Sequence, residues 1–276
     1  MSSSRSGPRP VEAARLSPSL REKVWGKTKL QPLFPDLGSR IGEVWYLAER
    51  ELPILVKFIF TSERLSVQVH PADGEDGPRG KTEMWHILDA EPGATIALGF
   101  REPITRERLR DATRTGEIEQ LLNWIPVKAG ETYFTPAHTV HAIGAGIVLC
   151  EIQQNSDVTY RLWDYGRPRE IHVEQALPIS DPGVHPGASR PVPVAPGVDE
   201  LARSEYFVTQ SVRLAGGEER VFPAQSCHLW ICLEGAGNIG PSGRFHAGEV
   251  WLIPEEGEQP AISAGEDTRF LRTFVP

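Results

Sequence analysis

Between residues 41 and 104 the chain alternates short apolar runs with turn residues. Ile54–Phe60 (ILVKFIF) and Leu65–His70 (LSVQVH) are rich in branched and aromatic side chains, which fit a pleated, half-buried surface. Met84–Leu88 and Thr95–Phe100 read as further strands, and Pro71–Lys81 (PADGEDGPRGK) as a loop by composition. No strand–helix–strand alternation is present, which argues against a parallel sheet and for an antiparallel, all-β barrel. One stretch departs from the pattern. Thr105 stands at a helix N-cap position, with Ile104 and Leu109 spaced as a hydrophobic staple. Ile118, Leu121, Leu122 and Ile125 then share one helical face. Residues 104–125 are therefore read as a helical insert, after which strands resume at Glu131–Thr135 and Gly146–Gln153.

Residues 178–200 are proline-rich and poor in core residues, which predicts an extended linker. Strand patterns return after Glu205, for example at Leu229–Leu233 and Val250–Ile253. An internal repeat ties the halves together: Ala129–Pro136 (AGETYFTP) matches Ala247–Pro254 (AGEVWLIP), both A-G-E-x-aromatic-x-x-P. Continuing the copies sets His141 opposite Gln259. The pattern predicts a site-bearing barrel over 21–177 and a degenerate, related barrel over 201–276. The plainer reading of the same motif is a common turn entering a strand.

Length and composition narrow the classes. At 276 residues the chain has room for one or two domains with a sizeable core. The 26 glycines and 24 prolines fit many turns between short strands. A net charge of -8 argues against nucleic acid as a partner and requires a locally basic pocket for any anionic substrate. Three cysteines without a CxxC argue against a disulfide framework or a cysteine zinc knot. The opening MSSSRSGPRP has no apolar signal core, and no run is long enough to span a bilayer. The expectation is a cytoplasmic protein with a disordered tail over residues 1–20 and no protein partner indicated.

The polar residues inside strand patterns carry the candidate chemistry. Gln68 and His70, two apart, share a strand face, with Val67 and Val69 on the other. Buried without partners, such groups cost roughly 1–3 kcal/mol each, and a metal would satisfy both; a hydrogen-bonded core histidine is the alternative. Glu83, after the loop, is a further ligand candidate or a surface charge. Of His138 and His141, the repeat places His141 in a strand and His138 on a loop. Gln68, His70, Glu83 and His141 together make an oxygen–nitrogen donor set suited to Zn²⁺, and also to Mn²⁺, Fe²⁺ or Co²⁺. Glu151 and Gln153 share a face, and Asp157 and Arg161 follow, either as a pocket rim or as a solvated loop. Lys57 interrupts an apolar run; turned inward it needs an anion, turned outward it snorkels.

In order, LPILVKFIF, LSVQVHP, GKTEMW, AGETYFTPAHTVHAIGAG and EIQQNSDVTYRLWDYGR closely resemble the class I mannose-6-phosphate isomerases, particularly the short bacterial type. The resemblance runs from about Val24 to Ser180. It implies a cupin fold (a double-stranded β-helix or jelly roll), one zinc ion, and reversible conversion of mannose 6-phosphate to fructose 6-phosphate. The family's zinc ligands fall on Gln68, His70, Glu83 and His141, and its active-site polar residues on Lys57, Lys81, Glu151, Asp157 and Arg161. Lys57, Ser66 and Arg161 are candidates for the phosphate. This chain has Lys81-Thr82-Glu83 where larger members tend to have a central proline, and a short helical insert where they carry a helical domain. Rival readings are a cupin that binds a sugar phosphate without turnover, a cupin oxygenase, which Gln68 as ligand disfavours, and an isomerase acting on glucose 6-phosphate.

Overall fold

The computed structural model describes residues 12–223, 226–253, 255 and 259–276. These form two compact units, Pro18–Pro191 and Val192–Pro276, the second joined by the described residues up to Ser17. In chain order the elements are β1 (Ala14–Arg15), β2 (Ser17–Lys27), β3 (Ile41–Leu47), β4 (Ile54–Phe60), β5 (Val67–Val69), β6 (Glu83–Ala90) and β7 (Thr95–Phe100). There follow α1 (Arg106–Thr115), α2 (Ile118–Leu121), β8 (Leu122–Pro126), β9 (Thr132–Thr135), β10 (His141–Ile143), β11 (Ile147–Gln154), β12 (Tyr160–Trp163) and α3 (Val173–Ile179). The second unit adds β13 (Val192–Ala195), β14 (Val198–Arg203), β15 (Val208–Leu214), β16 (Glu219–Val221), β17 (His228–Glu234), β18 (Ala236–Ile239), β19 (Gly243–His246), β20 (Val250–Ile253), β21 (Ala261–Ala264) and β22 (Thr268–Phe274).

The first unit pairs a six-stranded sheet, β2-β3-β4-β11-β6-β9, with a five-stranded sheet, β12-β5-β10-β7-β8. Its ladders are antiparallel and join strands distant in sequence, β4 with β11 and β5 with β10, as a jelly roll requires. Ile59, Trp85, Ile87, Ile96, Leu98, Tyr133, Ile143 and Leu149 form one buried cluster. A second cluster unites Val67, Val69, Ala97 and Phe100 with Leu109, Ile118 and Leu177 of the three helices. This explains the alternation in β5. Its two valines are fully buried in the cluster that holds the helices, and Gln68 between them takes the other face.

Four details differ from the sequence expectation. The helical insert ends early. Thr105 does cap α1, its hydroxyl accepting from Arg108 N at 3.1 Å. Leu122–Pro126, however, is strand, pairing Trp124 with Ala97 and Leu122 with Phe100. Helical spacing and strand propensity compete there, and a free edge on β7 decides for the strand. Second, α3 carries Pro178 in its last turns, so the linker starts later than expected. Third, that segment lies along the first unit through bonds such as Asp181 N to His138 O (2.9 Å) and Ser189 N to Thr132 O (2.7 Å), and the units divide between Pro191 and Val192. Fourth, the expected tail is ordered from Ala14. Ala14 and Arg15 pair with Leu252 and Trp251, and Leu16 is buried. Residues 1–11 lie outside the described residues.

The second unit has a seven-stranded sheet, β1-β20-β17-β22-β15-β14-β13, and a four-stranded sheet, β16-β21-β18-β19, around Trp230, Trp251, Phe245 and Phe270. The repeated motif has one physical cause in both units. Gly130 (φ 90°) and Gly248 (φ 86°) occupy the left-handed region that favours glycine. The Glu131 carboxylate accepts from Lys128 N (2.8 Å) and the Tyr133 hydroxyl (2.9 Å). Glu249 repeats this with His246 N (3.4 Å) and Trp251 Nε1 (3.1 Å). The register extends the match. Trp45, Lys57, Glu151, Trp85 and Tyr133 stand in one row across β3, β4, β11, β6 and β9. Glu200, Gln210, Arg272, Trp230 and Trp251 form the same row across β14, β15, β22, β17 and β20.

Candidate active site

In the five-stranded sheet Gln68 is paired with His141 on one side and Arg161 on the other. His70 follows at the end of β5, where Pro71 ends the ladder. The facing sheet supplies Glu83 at the start of β6, two residues after Lys81. Donor atoms of His70, Glu83 and His141 all lie within 4.8 Å of one another, and all three residues are buried. His141 Nε2 is 3.5 Å from Glu83 Oε1, and His70 Nε2 is 3.7 Å from Glu83 Oε2.

The outer contacts set the tautomers. His70 Nδ1 donates to Val158 O and His141 Nδ1 to Thr139 O, each at 2.8 Å, so both Nε2 lone pairs face the cluster. Burial drives both imidazoles towards the neutral form; it pushes His70 well below its ordinary value and His141 down to about 4. Burial also raises the Glu83 carboxyl, against the pull of Lys81. Neither buried Glu83 oxygen has a well-formed hydrogen bond, although Lys81 Nζ lies 3.2 Å away and also 3.0 Å from His70 Nε2. Two inward imidazole lone pairs around a poorly satisfied buried carboxylate fit a divalent metal. Gln68 adjoins the group, its Nε2 3.2 Å from His141 Nε2 and its Oε1 accepting from Ser66 Oγ at 3.1 Å. Ligation through Oε1 requires the amide turned over, and the Ser66 hydroxyl serves either orientation as donor or acceptor.

Of these residues Ser66, Gln68 and Lys81 line a cavity of about 500 Å³, together with Lys57, Glu151, Asp157 and Arg161. Lys57 points inward. Its ammonium donates to Glu151 Oε2 (3.0 Å) and to Gln153 Oε1, and lies 4.4 Å from the Trp45 ring centre. Trp85 Nε1 takes the other Glu151 oxygen at 3.1 Å. Burial acts to raise Glu151, but Lys57 and Lys81 outweigh it and hold the carboxyl below its ordinary range. Burial likewise opposes the Lys81 charge, and Glu83 and Glu151 outweigh that too, so Lys81 stays an ammonium.

Arg161 has no carboxylate partner among the described residues. Its Nη1 makes one long bond to Glu170 O (3.4 Å), and its Nε is buried without an acceptor. Burial and then the neighbouring Arg169 lower its pKa. Asp157 is exposed at the rim. His138 sits on a loop at φ 73°, 2.7 Å from Glu75, apart from the cluster. Arg169, His172, Trp45 and Glu43 also line the cavity, and sequence reasoning did not single them out as site residues. The alternation in GEVWY does put Glu43 and Trp45 on one strand face. Arg169 reaches the cavity only because buried Asp164 grips it in a bidentate pair (2.6 Å each), a tertiary contact with no sequence signature.

Among the described residues no helix is long and apolar enough to cross a membrane. No family model matches the chain. The mannose-6-phosphate isomerase of Streptococcus mutans is 32% identical over 254 residues, 75% of this chain and 80% of that protein. A probable mannose-6-phosphate isomerase of Bacillus subtilis, GmuF, is 29% identical over 87% of this chain and 92% of its own. Among solved structures, the mannose 6-phosphate isomerase from Bacillus subtilis superposes with a TM-score of 0.86 at 24% identity, covering 96% of this chain and 100% of that one. A phosphomannose isomerase variant from Salmonella typhimurium gives 0.78 at 18% identity over 96% of this chain and 100% of that one. The structural likenesses speak for the cupin architecture; the sequence match across most of both chains goes further, and by it this protein belongs to the mannose-6-phosphate isomerase family.

Proposed function

We propose that this enzyme interconverts mannose 6-phosphate and fructose 6-phosphate, with zinc held by Gln68, His70, Glu83 and His141. The observation that carries the reading is the buried His70–Glu83–His141 cluster, which Gln68 and Lys81 contact from the lining of a cavity that also presents Glu151 and Arg161. The reaction shifts a proton between C1 and C2 and moves the carbonyl the other way. When bound, the metal supplies Lewis-acid polarisation of the sugar oxygens.

The chain's own groups divide the remaining work. Lys81, kept as an ammonium by Glu83 and Glu151, is the acid for ring opening. Among the carboxylates that line the cavity Glu151 is the buried one and is kept ionised by Lys57, so it is assigned the C1–C2 proton; Asp157, exposed at the rim, is the weaker candidate. Arg161 stabilises the enediolate through guanidinium protons that lack acceptors. Lys57 and Ser66 hold Glu151 and Gln68, and Arg161 is assigned to the enediolate, so the phosphate is assigned to Arg169, which Asp164 fixes through Nε and Nη2 while leaving Nη1 for a ligand, with His172, Arg21 and Lys23 also on the cavity lining.

The test is a coupled isomerase assay on purified protein with mannose 6-phosphate, run before and after chelation and zinc return. Turnover that disappears on chelation and returns with zinc is the expected result. Metal-loaded protein that binds the sugar phosphate without converting it would replace this reading with that of a binding module. Conversion of glucose 6-phosphate in preference would move the substrate assignment.

A further inference from the structure

The matched rows across the two barrels show what the second one exchanged. Lys57 of the first row corresponds to Gln210, and Glu151 to Arg272. Two residues before the row, on the same strand face, Glu83 at the start of β6 corresponds to His228 at the start of β17. The second barrel has therefore kept a polar interior at the same sheet positions while losing both carboxylates. A site built to hold a cation has become a site that holds one of its own.

Arg272 is 9% exposed, and no carboxylate lies within ion-pair distance of it among the described residues. Among the described residues its contacts are all to neutral groups. Nη1 donates to Gln210 Oε1 (3.1 Å), and Nη2 donates to Pro223 O (2.7 Å) and to His228 Nε2 (2.9 Å). Nε is buried with no acceptor. The Phe222 and Phe274 ring centres lie 5.1 and 4.7 Å from the guanidinium carbon. His228 accepts from the arginine, and burial followed by Arg272 holds its imidazole low, at about 4, so it adds no charge of its own. Arg272 is itself lowered to about 10 by burial. Two aromatic faces and three neutral acceptors return only part of what an ion loses on leaving water. A guanidinium presents five N–H groups, and three bonds leave part of that fork unused.

We propose that the interior of the second barrel binds a small oxyanion, a carboxylate or a phosphate, on Arg272, with Gln210 and His228 as flanking groups. An oxyanion supplies the counter-charge that the described residues do not, and takes the unused guanidinium protons. This site is separate from the catalytic cavity and does not depend on the substrate assigned there.

The experiment uses the full-length, metal-loaded protein in an Arg161→Gln background, which weakens anion binding at the catalytic cavity. Inorganic phosphate, acetate and chloride are titrated at constant ionic strength, and thermal unfolding and tryptophan fluorescence are recorded. Trp230, directly opposite Arg272, is the reporter, and Trp230→Phe identifies its signal. Phosphate or acetate is expected to give a saturable fluorescence change and a rise in Tm. Arg272→Gln should abolish both, and Arg272→Lys, which keeps the charge without the fork, should weaken binding roughly tenfold. Phosphate alone acting identifies a phosphoryl ligand, and acetate alone a carboxylate; either supports the site. Arg272→Lys keeps the test decisive if the glutamine variant does not fold. An equal response to chloride, titrations unchanged by either substitution, or no response in the parent overturns the proposal.

Discussion

Lys57→Met tests whether the Lys57–Glu151 pair organises the catalytic barrel. Both side chains are about 5% exposed or less, and the ammonium stands 3.0 Å from the carboxylate. Replacing lysine by an apolar side chain of similar length preserves packing but leaves a buried carboxylate without its nearest cation. Breaking such a pair costs about 3–5 kcal/mol. Trp85 Nε1 and the charge on Lys81 still serve Glu151, which places the effect at the lower end. For a unit of this size a loss of about 3 kcal/mol lowers Tm by roughly 6–12 °C. The pH dependence separates this cause from loosened packing. In the native protein Glu151 is depressed, so its contribution is present above the unfolded carboxyl pKa and is lost as pH falls through the folded value. In Lys57→Met the burial contribution dominates and raises Glu151, so stability is lost as pH rises. The gap between the two proteins should therefore be full at pH 7, narrow as pH falls to 4, and close only below about 2, where native Glu151 takes up its proton. Adding Glu151→Gln should recover a large part of the loss at pH 7. Thermal unfolding of metal-loaded protein across that range is the assay. A deficit that does not change with pH, or a double variant no more stable than Lys57→Met, would refute the reasoning.

Three further outcomes are expected. His141→Ala should lower the bound metal per chain and abolish turnover while Tm with chelator present falls by less than the holoenzyme's; metal analysis against the unsubstituted protein checks it. Asp164→Asn weakens the grip on Arg169, so KM for the sugar phosphate should rise about five- to tenfold with kcat nearly constant; equal loss in both would mean that Arg169 acts in the transition state. Gly130→Ala and Gly248→Ala force an alanine to φ near 90° at the same turn, and each should cost roughly 1–2 kcal/mol in denaturant unfolding; a large difference between them would contradict the shared turn geometry.

Local chemistry made much of the molecule readable from its residues. Ile54–Phe60, Thr95–Phe100 and Val250–Ile253 are strands with the bounds their apolar runs predict, because branched and aromatic residues favour a pleated surface wherever it forms. Val-Gln-Val in β5 announced a two-faced strand, and Thr105 announced a cap, since both signals act within a few residues. The A-G-E-x-aromatic repeat encodes a glycine turn and a glutamate that ties its own neighbours, so it survives in both units. What needed the tertiary structure was decided by partners far away in sequence. Ala14 and Arg15 became a strand because β20, more than two hundred residues on, offered an edge, and Leu122–Pro126 left its helical pattern for β7. Arg169 enters the cavity because Asp164 is buried beside it. The inward turn of Lys57, which its apolar neighbours left open, follows from Glu151 standing opposite it across the ladder. The residue types thus determined which strands and turns could form and which atoms could ligate a metal. The burial of charge, which sets tautomers, ion pairs and the exchange of Glu151 for Arg272 between the barrels, exists only once the sheets have closed and removed the water.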